Sequence, residues 1–157
     1  MKAMADDRQR EVLMRFFKTA PGEYGEGDEF LGIRVPQTRR VVAEAADMPL
    51  KETEELIYSP WHEIRLCGFL ILTEKMRRLT LRRALDDPES MEKRENLVRF
   101  YLNHTHQANN WDLVDLSADK ITGRWLTTPS ISTEEEKTAV MDRLADSSCM
   151  WEQRIAM

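Results

Sequence analysis

The chain has 157 residues, 41% of them hydrophobic and 32% charged, proportions that fit one globular domain and exclude a disordered tail. Its net charge of −5 weighs against nucleic acid, because DNA binders usually carry a basic excess. No apolar run reaches the ~18 residues that a membrane helix needs, and no apolar signal region follows Met1, so a cytoplasmic location is expected.

Helical periodicity runs through the chain, and strand signals are nearly absent. The first expected helix covers 6–18, with Val12, Leu13, Phe16 and Phe17 on one stripe. Pro21 to Gly27 reads as a connector, marked by Pro-Gly and Gly-x-Gly. Pro36 suits the first turn of a helix running to about Ala46. Pro49 opens a short helix over 50–58, and Ser59-Pro60 starts one over 60–78. Asp87-Pro88 begins a helix from 88 to about 105, and Asn109 and Asn110 cap one over 111–126. Ser132 with Glu135 has the spacing of a capping box for 133–145. Ser147 or Ser148 caps a last helix that begins near Cys149. That helix reaches Ile155-Ala156-Met157 without a stop signal, so the chain is expected to be a piece of a longer protein.

Three of the expected helices carry tryptophan at or near their start, at Trp61, Trp111 and Trp151, with spacings of 50 and 40 residues. Repeats of ~40–47 residues belong to HEAT-like helix pairs, which stack into curved solenoids with a concave inner face. The expected fold is therefore all-α, a single domain over 1–157 built as an α-α superhelix of HEAT-like repeats, with its C-terminal repeats missing.

Charge is uneven along this acidic chain. Residues 60–83 hold 6 basic and 2 acidic side chains, with the positive charge concentrated at Arg77, Arg78, Arg82 and Arg83. This block reads either as a phosphate-contacting ridge or as a solvated helix end whose cations the dipole favours. Asp115 lies four residues after Trp111, so the two share a helix face. Asp112 sits in the first turn, where the dipole accounts for an acid; Asp115 lies beyond it. Asp115 is therefore either a partly exposed acid paired with a basic residue or a groove carboxylate beside an aromatic platform, suited to stabilising a cation. Arg154, three residues after Trp151, either orients that carboxylate, holds a phosphate, or makes a plain salt bridge. His62, His104 and His106 do not assemble with Cys or carboxylates into a metal set, so no metal is expected. Gly25-x-Gly27 lacks the context of a phosphate loop. Cys67 and Cys149 read as buried free thiols.

Four segments together resemble the DNA alkylation repair family typified by AlkD. They are Gly25-Glu-Gly-Asp-Glu-Phe-Leu-Gly-Ile-Arg-Val-Pro36, Trp61-His-Glu-Ile-Arg65, Asn109-Asn-Trp-Asp-Leu-Val-Asp-Leu-Ser-Ala118 and Met150-Trp-Glu-Gln-Arg-Ile-Ala-Met157. The resemblance implies a HEAT-like solenoid whose partner is double-stranded DNA with alkylated bases. It implies hydrolysis of the N-glycosidic bond of cationic purines such as 3-methyladenine and 7-methylguanine, in base excision repair, without base flipping and with no cofactor. It assigns Asp115 as the catalytic carboxylate, Arg154 as the arginine beside it and Trp111 as an aromatic touching the nucleotide backbone. A further family aromatic would lie beyond Met157. Trp151 is expected to add an aromatic face toward the DNA. Relatives that bind DNA without evident glycosylase activity imply an alternative, a non-catalytic HEAT-like module that recognises DNA shape.

Overall fold

A computed structural model describes residues 1–157. It is all-helical, with one isolated parallel β-bridge, Glu29 to Trp61. No helix is long and apolar enough to cross a membrane. The chain divides into two compact units, Met1–Ile71 and Leu72–Met157, and the division falls inside the helix His62–Leu79.

The first unit holds α1 (Asp7–Phe16), α2 (Val35–Ala45), α3 (Leu50–Ile57) and the first part of α4 (His62–Leu79). The Asp6 side chain caps α1 by accepting the Gln9 N–H at 3.1 Å. α1 ends earlier than the expected 18, because Lys18 takes a left-handed conformation, φ 56, which an α-helix does not tolerate. α2 begins with Pro36 in its first turn, and the Gln37 side chain turns back to accept the Arg34 N–H at 2.9 Å. α4 starts at His62 rather than at Pro60. The His62 N–H, which has no partner inside a first turn, donates to the Glu29 carbonyl at 2.8 Å, and Trp61 flanks the helix, its carbonyl accepting the Arg65 N–H at 3.1 Å. Phe30, Ile57, Leu66, Cys67 and Phe69 are buried in this unit.

Gly32 is the tightest joint of the first unit. Its φ is +83, and a Cβ there would meet the Asp6 carbonyl oxygen at 2.1 Å. Only glycine fits such a backbone and such a close approach. Gly32→Ala should therefore lose about 2–3 kcal/mol of stability, read as a lower urea midpoint. An unchanged midpoint would show that the 28–33 loop does not dock on α1 in solution.

The second unit continues with the end of α4, then α5 (Pro88–Asn103), α6 (Trp111–Asp115), α7 (Arg124–Thr127), α8 (Glu134–Ala145) and α9 (Met150–Ile155). α5 is capped by Asp87, which accepts the Ser90 N–H at 2.8 Å. The continuous helix expected over 111–126 is broken. The buried Ser117 hydroxyl donates to the Leu113 carbonyl at 2.5 Å, and the Ser117 N–H shifts to the Val114 carbonyl at 3.0 Å. A serine that takes its own i−4 carbonyl disturbs the helical ladder, and a π-helical turn, Asp119–Gly123, follows. The capping box of α8 uses Thr133 and Glu136, one residue later than expected. Ser132 is diverted, since its hydroxyl donates to Glu95. α9 begins at Met150, with Cys149 as its N-cap. Cys67 is buried, where desolvation pushes its thiol up to about 11, whereas Cys149 is only half-buried.

Candidate functional site

Two buried polar clusters hold loops in place, and the first joins two of the sequence motifs. In the first unit, the Glu63 carboxylate accepts the N–H groups of Leu31 (2.8 Å), Gly32 (2.8 Å) and Ile33 (3.0 Å). One residue earlier, His62 Nδ1 lies 2.7 Å from Asp28, and Arg65 donates to the same carboxylate and to the Ser59 and Pro60 carbonyls at 3.0 Å. The Gly25–Pro36 and Trp61–Arg65 motifs are thus two halves of one loop clamp. Burial pushes the Asp28 carboxyl up, but His62 and Arg65 outweigh it and hold the group below its ordinary range.

The sign of the pH effect follows. A carboxylate depressed in the folded state adds stability above its unfolded pKa of about 3.9, and that share is lost as pH falls through the folded value. Asp28→Asn should therefore be less stable than wild type at pH 7 and lose less further stability between pH 7 and 3, measured by urea melts. Parallel losses in the two proteins would exclude Asp28 as an acid-sensitive group.

In the second unit, buried Arg94 donates to the carbonyls of Leu79 (2.7 Å), Ala84 (3.0 Å), Leu85 (2.7 Å) and Pro129 (2.8 Å). Its neighbour Glu95 accepts the Trp125 indole N–H at 3.0 Å and the Ser130 and Ser132 hydroxyls. Apart from Ser132, expected above as a helix cap, none of these residues stands out in the sequence, although Arg94 carries one signal. Arg94 falls on the stripe of Leu97, Val98 and Tyr101, at i, i+3, i+4 and i+7, so its side chain had to point into the core.

Asp115 closes α6 and Trp111 opens it, four residues apart, Trp111 being half-buried. The Arg154 guanidinium of α9 grips both Asp115 oxygens, Nε to Oδ1 and Nη2 to Oδ2, each at 2.7 Å. This ion pair, one of the alternatives the sequence left open, is present. The hydrogen bonds from Arg154 hold the Asp115 carboxyl below the usual range. The side chains are 41% and 40% exposed, and such a pair stabilises a fold by only about 0–1 kcal/mol. Its clearer effect is to fix the carboxylate plane while leaving further lone pairs open. Asp115 and Arg154 line a concavity of about 430 Å³ whose other walls include Val114, Ala118, Leu126 and Met141. A larger concavity, about 660 Å³ and lined by Arg34 and Arg40, lies in the first unit and contains neither Asp115 nor Arg154.

The other expected residues have different settings. Trp151 is 8% exposed, so its ring is packed inside rather than offered as a face. Asp112 is buried, and its Oδ1 accepts the Leu113 N–H at 2.9 Å. Arg77 and Arg78, in the last turn of α4, both bond to Glu74, Arg77 Nε at 2.7 Å and Arg78 Nε at 2.9 Å, and hold its carboxyl down at about 2. Arg82 and Arg83 are exposed in the 3-10 turn Arg82–Ala84.

The fold and this site define a class: an all-helical protein that presents an oriented carboxylate, next to a guanidinium, at the wall of a largely apolar concavity. The model of the family described as DNA alkylation repair enzyme matches residues 1–157, and the chain belongs to that family. No curated protein and no solved structure matches it.

Proposed function

We propose that the chain is a DNA glycosylase that removes positively charged alkylated purines, of the 3-methyladenine and 7-methylguanine type, from double-stranded DNA in base excision repair. The observation that carries this reading is the Asp115 carboxylate, held in one plane by Arg154 and one helical turn from Trp111. A cationic purine is already a good leaving group. As the bond from C1′ to the base nitrogen breaks, its electron pair neutralises the base and the sugar becomes an oxocarbenium ion. Asp115 stabilises that cation and accepts the proton of the water that attacks C1′. Trp111 lines the nucleotide backbone beside it. No general acid is required, unlike the paired carboxylates of glycoside hydrolases.

In this reading Arg154 orients the carboxylate, and Arg82 and Arg83, with Arg77 and Arg78 beside them, meet phosphates. The sharing of Glu74 by Arg77 and Arg78 reduces their net positive charge, so Arg82 and Arg83 carry the larger part. The spacing of Trp61, Trp111 and Trp151 supports a HEAT-like superhelix as the scaffold. The burial of Trp151 favours a packing role for that residue over contact with DNA.

A second reading has its own support. Arg154 offsets the charge of Asp115, as a structural ion pair in a non-catalytic DNA-binding module would. Incubation with methylated duplex DNA and chromatography of the freed base separates the two. Release of 7-methylguanine and 3-methyladenine above the spontaneous rate supports the glycosylase. Salt-dependent binding without release supports the module.

A further inference from the structure

We propose that Glu152 is a positioning residue, which seats helix α9 so that Arg154 meets Asp115. The inference rests on the reading of Asp115 and Arg154 as the site. α9 has only six residues, Met150–Ile155, and its N-cap Cys149 makes no side-chain cap bond. A helix that short does not persist on its own propensity, so other contacts must fix its direction. Trp151 and Ile155 bury its apolar side, and Glu152 adds polar ties on two sides. Its Oε1 accepts the Thr105 hydroxyl at 2.5 Å and its Oε2 accepts the Ser147 hydroxyl at 2.6 Å. Ser147 ties the start of α9 further, as its Oγ accepts the Cys149 N–H at 3.1 Å and its carbonyl accepts the Gln153 side-chain N–H at 2.7 Å.

Two residues along a helix turn through about 200°, so Glu152 and Arg154 point to opposite sides. One side is latched to the 3-10 turn Thr105–Gln107, and the other presents the guanidinium to Asp115. The latch makes no use of Arg154, so it orients α9 independently of the pair. The carboxyl of Glu152 lies below its ordinary range, through the hydrogen bonds from Ser147 and Thr105, and is therefore ionised and fully accepting at neutral pH.

The sign of one measurement separates positioning from plain charge. Removing an anion by itself lowers a nearby carboxyl pKa. Releasing Arg154 raises that of Asp115. The test is an NMR titration of the Asp115 carboxyl in the whole chain, for wild type, Glu152→Ala, Glu152→Gln, Thr105→Val and Arg154→Ala. Glu152→Ala and the uncharged change Thr105→Val should raise Asp115 toward about 3.9, in the direction set by Arg154→Ala. Glu152→Gln, whose amide oxygen accepts one hydroxyl and whose NH2 donates to the oxygen of the other, should stay near wild type. Should Glu152→Ala fail to fold, Thr105→Val and Glu152→Gln decide the question between them. An Asp115 value unchanged or lowered in Glu152→Ala and unchanged in Thr105→Val would overturn the proposal. So would an Arg154→Ala protein with no rise, since the pair would then be absent in solution. A chain that shows the expected shifts yet releases no base refutes the glycosylase reading and leaves the positioning role standing.

Discussion

Asp115→Asn should slow single-turnover release of 7-methylguanine about 100-fold. One preorganised electrostatic contact at a transition state is worth ~3 kcal/mol, and that energy sets the factor. The substitution keeps the side chain's size and removes its charge. The amide also accepts the Arg154 guanidinium through one oxygen rather than two, so the orientation of the group is lost with the charge. DNA binding should survive, because removing a negative charge does not weaken attraction to phosphate. Asp112→Asn is the control with the opposite signature. Asp112 is buried and bonded to the Leu113 N–H, so that variant should lose stability, while the rate of its folded fraction changes much less. Equal rates for wild type and Asp115→Asn would remove the carboxylate from the mechanism.

Arg94→Ala should have the largest effect on stability, a loss of about 4 kcal/mol. Four carbonyl groups, from Leu79, Ala84, Leu85 and Pro129, converge on this one guanidinium. Truncation strips four part-buried acceptors of their donor, at about 1–3 kcal/mol for each that water does not reach, and leaves a cavity where the buried side chain stood. Arg94→Lys should recover only part of the loss. A lysine ammonium has three donors on a single atom and does not span acceptors arranged around a planar guanidinium. Urea melts of the three proteins make the comparison. A loss under about 1 kcal/mol in Arg94→Ala, the scale of an ordinary surface change, would mean that these carbonyls are hydrated in solution.

What the sequence revealed divides along a physical line. Features that repeat over three or four residues were legible: the all-helical class, the positions of most helices, and the shared face of Trp111 and Asp115. The link from Arg154 to Asp115 was legible as one of several alternatives, although 39 residues separate them, because the tryptophan repeat suggested which helices correspond. Features created by contacts between distant segments were not. Glu63 reads as an ordinary first-turn acid until the 31–33 loop is folded onto it. Nothing local in the sequence marks Asp28 as buried, yet His62 and Arg65 hold it in the interior. The break after Asp115 was hidden in the same way. Ser117 is a common helix residue, and only its buried hydroxyl, shared between the Leu113 carbonyl and Tyr101, bends the chain there. Ser132 looked like the cap of α8 by spacing alone, and Glu95, 37 residues away, claims it. The burial of Trp151 was equally invisible, since a tryptophan at a helix start has the same pattern whether it faces a groove or the core.

The central claim is that the positive charge on the alkylated base drives its removal while Asp115 stabilises the sugar cation. The most direct measurement compares release of 7-methylguanine with release of its uncharged counterpart, 7-deaza-7-methylguanine, from otherwise identical duplexes under single-turnover conditions. The account predicts that the chain frees the charged base well above its spontaneous rate, while the uncharged base, bound equally well, stays attached. Binding of both duplexes with no release of the charged base above background would contradict it.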